Sequence, residues 1–269
     1  MNSQSVALPA AEFASSKKFW IGLAIVCWLG FVIAHIPAVW GAYFMTRSGA
    51  LGLTGVSGTL WSGRASLASV KVKDADYSLG QLTWAIDVFS LLVLNPCANV
   101  KTEMDNQQFK GKVCAGLNGA VTISNADANF PAELIQSQLP LAIDGQFSAH
   151  FDKLSFQKQQ LSGLQGKLSW MGAKVFNGTN WMMLGGYKAD LVDDGKAGLT
   201  ARLTDVSSPV KADTTITLLA AGGGSVVGSL EVNELFNREA KVSTWLSMFA
   251  GEGVPDAQGN LKYNININL

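Results

Sequence analysis

Histidine is almost missing from this sequence: His35 and His150 are the only two in 269 residues. Neither belongs to a His-x-x-x-His pair of the kind that holds catalytic zinc, and no Gly-x-Ser-x-Gly elbow offers a serine nucleophile. "GGGSVVG", Gly222 to Gly228, lacks the Lys-Ser/Thr end of a phosphate loop and the glycine spacing of a dinucleotide fingerprint, so it reads as a hairpin. Asp74, Asp76, Asp193 and Asp194 sit in turn-like surroundings, but no twelve-residue loop with a terminal Glu encloses them. Charge is scarce too, at 15% of residues, and 20 basic side chains balance 20 acidic ones without a basic stretch. That excludes the electrostatic footprint of a nucleic-acid binder. With no catalytic constellation, metal set or cofactor motif in view, the chain reads as a binding or scaffold protein rather than an enzyme.

The scarcity of charge is concentrated. From Phe19 to Thr46 there is no Asp, Glu, Lys or Arg. At ~1.5 Å per helical residue, roughly 20 residues cross a hydrocarbon core, so the run predicts one transmembrane helix over 19–46. A cleaved signal peptide is the competing reading, but its apolar region is typically only about 7–15 residues. Trp20 at one end and Trp40 with Tyr43 at the other suit the two membrane interfaces. Pro37 marks a kink or the helix end, and His35 beside it is close enough to the outer interface to reach headgroups. Lys17 and Lys18 before the span and Arg47 after it give a modest bias toward a cytoplasmic tail over 1–18.

Cysteine is nearly as rare as histidine. Cys27 falls in the span as a small apolar filler, which leaves Cys97 and Cys114 for the whole remainder of the chain. An even pair beyond a membrane anchor points to a disulfide in an oxidising compartment, and so to a periplasmic domain over 47–269. Two buried free thiols are the alternative.

Beyond Arg47 the pattern is strict alternation. Leu141, Ile143, Phe147, Ala149 and Phe151 interleave with Asp144, Gln146, Ser148, His150 and Asp152, which predicts strands with one apolar and one polar face. The same period recurs in Leu82 to Val88, Phe109 to Ile123, Ala212 to Leu218 and Leu261 to Leu269. Turn signals at "LNPC", "FNGT", "VDDGK", "SSP" and "AGGG" separate the runs. The fold class is therefore mainly β: an open antiparallel meander of ten or more strands. Helices are expected at "PAELIQSQL" from Pro131 and at "VNELFNREAKVSTWLSMFAG", whose Leu235, Phe236, Trp245, Leu246 and Phe249 form a stripe that packs on the sheet. "GTLWSG", Gly58 to Gly63, reads as the first strand after the membrane, with Leu60 and Trp61 on opposite faces and Arg64 as a candidate contact to a headgroup or carboxylate. "GKLSWMG", Gly166 to Gly172, echoes it weakly.

Three segments in order, "GLTGVSGTLWSGRA" from Gly52, "LTWAIDVFSLLVLNPC" from Leu82 and "FKGKVCAGLNGAVTISNA" from Phe109, come after the membrane run. This arrangement resembles the type II secretion system protein N family, with Gly58, Leu60, Trp61 and Gly63 carrying the most distinctive piece. The resemblance implies a single-pass protein of the bacterial inner membrane, its N-terminus cytoplasmic and its β domain periplasmic. It would act as an accessory component in export of folded proteins across the outer membrane, with other inner-membrane secretion components as partners. The domain is also similar to AsmA-like proteins, with curved, taco-like sheets; that similarity implies the alternative of periplasmic lipid binding or shielding.

Cys97 and Cys114 are expected to resist alkylation in a periplasmic preparation until a reductant is added; thiols that label without reduction would refute the bond.

Overall fold

The structure, a computed structural model, describes residues 17–268 apart from 73–74, 140, 158–159, 194–197 and 220–222. Residues 1–16 of the cytoplasmic tail expected over 1–18, Asp74 and Asp194, Leu269, parts of the "VDDGK" and "AGGG" turns, and the side chains of Trp245 and Phe249 lie outside the described residues.

The apolar run does not form one helix. It makes α1 (Lys17–Ala34) and α2 (Ala38–Thr46), separated at Pro37. Proline has no N–H to donate and a fixed φ, so the ladder of an α-helix stops there. Among the described residues α1 is the one helix long and apolar enough to cross a membrane.

Beyond α2 the chain builds a single antiparallel sheet: β1 (Leu51–Thr54), β2 (Ser57–Gly58), β3 (Ser62–Val72), β4 (Ala75–Asp87), then the short helix α3 (Val88–Leu92). It continues with β5 (Cys97–Met104), β6 (Gln107–Ala115), β7 (Ala120–Pro131), β8 (Ile143–Gln157), β9 (Gln160–Phe176) and β10 (Trp181–Asp193). It ends with β11 (Gly198–Asp205), β12 (Val210–Leu219), β13 (Gly224–Val232), helices α4 (Glu234–Ala240) and α5 (Val242–Ala250), β14 (Val254–Pro255) and β15 (Leu261–Asn268). From β3 to β13 every strand pairs with its sequence neighbour; β2 pairs off this path with β3, and β14 pairs with β15 at the far edge.

Residues directly opposite across antiparallel strands share a face, so register converts alternation into surfaces. One row runs Arg64, Thr83, Lys101, Lys110, Asp127, His150, Lys167, Asp190, Arg202, Thr215. The adjacent row runs Ala65, Leu82, Thr102, Phe109, Ala128, Ala149, Leu168, Ala189, Leu203, Thr214. A polar face and an apolar face thus extend across at least ten strands, as the two-residue period requires.

The core occupies only one end of the apolar face. Phe130, Phe147, Trp170 and Tyr187 are register partners on β7 to β10, and their rings succeed one another at 5.5, 5.4 and 6.2 Å between centroids. Tyr263 at 1% exposure, Val232 and Val210 extend the cluster, and Val242 and Leu246 of α5 close over it. The expected single helix is two because Lys241 adopts a left-handed φ of 50°. Asn237 Oδ1 accepts from Ser243 N–H at 2.8 Å and so caps the second helix while belonging to the first. The break turns Val242 and Leu246 inward and leaves Leu235 of the expected stripe exposed. The segment after Pro131 is a 3-10 helix, Ala132–Gln138, whose Gln136 side chain bonds Leu141 O and Ile143 N.

Leu246→Ala is expected to cost about 2–5 kcal/mol by opening a cavity under α5, read as a lowered denaturation midpoint. Leu235→Ala, at an exposed site, should stay within about 0.5 kcal/mol; equal effects would contradict this account of the helix break.

Candidate functional site

Of the residues singled out by sequence, Pro37, Leu60 and Trp61 meet where α1 ends. In an unbroken helix the N–H of residue 37 would bond the carbonyl of residue 33; Pro37 has none to give. Trp61 supplies the donor instead: its indole Nε1–H bonds Ile33 O at 2.8 Å. The next orphan is treated the same way, because Leu60 N–H bonds Ile36 O at 2.8 Å and Thr59 bridges Pro37. Thus "GTLW" supplies donors to two carbonyls at the helix break, Ile33 O and Ile36 O, and spares them the cost of going unpaired.

The expected strand over Gly58 to Gly63 is only partly present. Gly58 ends β2, Ser62 begins β3, and Leu60 and Trp61 lie in the bend between them. A strand would have sent Trp61 to one face of the sheet; the bend sends it to the helix. Both glycines are required by close approach. Gly58 has φ 96°, and a Cβ there would stand 2.7 Å from Ser62 O, while a Cβ on Gly63 would enter the Trp84 ring. Trp84 in turn donates its Nε1–H to Leu60 O at 3.1 Å. Ala38 and Ala42 are the buried residues of α2, which packs beside β1, β2 and β3, and Gly41 leaves room for the Leu60 side chain. Trp40 and Tyr43 point outward from α2, and Trp20 is exposed on α1. Sequence reasoning missed Ile33, Ile36 and Gly41; counting back four residues from Pro37 would have found the first.

Cys97 and Cys114 are directly paired across β5 and β6 and form a disulfide with Cα atoms 4.0 Å apart. Cys27 is free and exposed on α1. The strand expected over Leu82 to Val88 stops at Asp87, whose carboxylate accepts from Phe89 N–H and starts α3. Consecutive apolar residues, rather than alternating ones, were the signal.

Two concavities lie on opposite faces. The larger, about 970 Å³ and open, sits on the polar face among Arg64, Lys101, Lys110, Lys112, Asp127 and His150. His150 Nδ1 lies 2.6 Å from Asp127 and its Nε2 3.5 Å from Asp152. The hydrogen bond with Asp127 outweighs desolvation and holds the imidazole pKa above its ordinary value. Among the described residues no group of three or more His, Cys, Asp or Glu could hold a metal ion. The second, about 250 Å³ and lined by apolar side chains, lies between the sheet and α5 around Trp170, Tyr187 and Leu246. Arg64 donates to Ser57 Oγ at 3.2 Å within the "GTLWSG" hairpin.

The family model for Type II secretion system (T2SS), protein N, matches residues 49–264. Type II secretion system protein N of Aeromonas hydrophila is 29% identical over 164 residues, covering 58% of this chain and 63% of that protein. The protein of the same name from Vibrio cholerae is 27% identical over 166 residues, covering 59% of this chain and 64% of that protein. The chain therefore spans somewhat less than two thirds of the relatives it matches. No solved structure matches.

Trp61→Phe keeps the ring and removes the donor, so the full chain in detergent should lose about 0.5–1.5 kcal/mol. Gly58→Ala should cost about 1–3 kcal/mol from its left-handed backbone. Trp20→Phe serves as the neutral comparison; if Trp61→Phe unfolds at the same denaturant concentration, the indole bond contributes nothing.

Proposed function

This chain belongs to the type II secretion system protein N family, and from that premise we infer that it is a membrane-anchored assembly element of the secretion apparatus rather than an enzyme. In this reading α1 crosses the inner membrane with its N-terminus in the cytoplasm, Trp20 and the Trp40–Tyr43 pair sit at the two interfaces, and the sheet stands in the periplasm. The disulfide supports that orientation, since such bonds persist in oxidising compartments. The work is done by protein contacts with other inner-membrane components of the machine.

The observation that carries the reading is the outer edge of β15. β14 covers it only at Leu261 and Lys262, so the edge from Tyr263 to Asn268 has no strand beside it among the described residues. An uncovered edge is a template for strand addition by a partner. The opposite edge is blunted, because β1 has four residues and α2 packs against it. Lipid carriage would need an open apolar trough; at the end of the face where the large apolar side chains gather, α5 covers them, and the 250 Å³ left beneath it is smaller than the ~300–1,000 Å³ usual for a ligand pocket.

A photo-crosslinking residue at Asn266 is expected to capture an inner-membrane secretion component in intact cells. The same residue at Lys167, in the middle of the polar face, should not. Equal capture from both positions, or none from Asn266 with the apparatus expressed, would remove edge pairing from the account.

A further inference from the structure

The loop between β4 and β5 is built of side chains that water does not favour. Phe89 is 80% exposed, Leu92 79% and Val93 73%, with Val88 and Leu94 also exposed, and no charged residue occurs between Val88 and Val100. Leu117, in the neighbouring turn between β6 and β7, is 77% exposed. A contiguous apolar surface of this kind marks an interaction site rather than ordinary exposure.

Its place in the fold says what it meets. β3 leads away from the α1 break and β4 returns to it; Ile86 N–H bonds Trp61 O at 2.6 Å, and Trp61 bonds Ile33 O at the end of α1. α3 therefore begins two residues beyond a strand position tied to the end of the apolar helix. The β6–β7 turn, reached through the Cys97–Cys114 bond at the base of both hairpins, lies at the same end of the sheet.

The loop also meets the demand that a low-dielectric environment makes on backbone. Phe89 N–H bonds Asp87 Oδ1, Leu94 N–H bonds Leu91 O, Asn95 N–H bonds Ser90 O, and Cys97 N–H bonds Ser90 Oγ at 2.8 Å. Groups satisfied inside the loop need no water and no partner protein. The exposed set is aliphatic plus one phenyl ring. It lacks the Trp, Tyr and Arg that dominate the energetics of protein interfaces.

We propose that the α3 loop and Leu117 form a second membrane contact, dipping into the outer leaflet of the same bilayer that α1 crosses. This rests on the reading of α1 as the span. The helix break alone would leave the sheet hanging from one point; the loop gives it a second, so the bilayer fixes the sheet's tilt.

The test uses the full chain with Cys27→Ala, reconstituted in vesicles of phosphatidylethanolamine and phosphatidylglycerol, with the native disulfide kept. Nitroxide labels are placed singly at Phe89→Cys and Leu92→Cys. Val26→Cys in α1 and Leu235→Cys on α4, at the opposite end of the sheet, serve as references. Relaxation by oxygen, which concentrates in lipid, is compared with relaxation by a water-soluble nickel chelate. The labels at 89 and 92 should resemble the label at 26, with an oxygen-to-nickel ratio several-fold above that at 235. A watery response at 89 and 92 while 26 remains in lipid would overturn the inference and leave the span intact. Protection of 89 and 92 from both reagents would also overturn it, because a protein surface would then be the occupant. A watery response at 26 would sink the span and this inference together.

Discussion

A carbonyl deprived of its α-helical donor governs this molecule. Pro37 withholds the N–H that Ile33 O would otherwise receive, and the sheet makes good the deficit through Trp61 and Leu60. The consequence is mechanical. A proline break is ordinarily a hinge, yet here the chain before it is bonded to the first turn of the β domain and α2 after it packs on the same strands. The position of β3, hence of β4 and the α3 loop, is referred back to the end of α1 through two hydrogen bonds and the packing of Ala38 and Ala42. The glycines of "GTLWSG" are subordinate to this: they let the chain fold tightly enough for the indole to arrive.

The two ends of the sheet have different constitutions. Away from α1 the apolar face is covered by α4, α5 and the 3-10 helix, and the large buried side chains gather there. At the helix end, the space between strands is spanned by small residues such as Ala65 and Ala68 and stapled by a disulfide. A sheet half without a thick core has little hydrophobic stabilisation of its own, and a covalent cross-link between adjacent strands is a reasonable substitute.

The alternation of Phe147, Ala149 and Phe151 with Ser148, His150 and Asp152 was enough to read the class of fold and which side chains share a face, because a period of two has one structural meaning. The pairing order came from the short turns. Local conformational choices were harder to read. A helical stripe from Leu235 to Phe249 is compatible with one helix or two, and the decision lies in the left-handed turn at Lys241, a residue with no special propensity for it. Trp61 was legible as important and illegible in role, since a strand reading places its ring on the sheet. Its partner is a backbone atom 28 residues earlier, and backbone atoms leave no trace in composition.

The meander has one property that concerns time rather than space. From β3 to β13 each strand pairs with the one synthesised just before it, so no stretch must wait for a distant segment to arrive. A chain emerging from its N-terminal side can add each new strand to a finished edge, with the segment tied to the helix break as the first template. Sheets whose partners are far apart in sequence must hold unpaired edges open during that interval, at the risk of aggregation. This one exposes a single growing edge at any moment from β3 to β13.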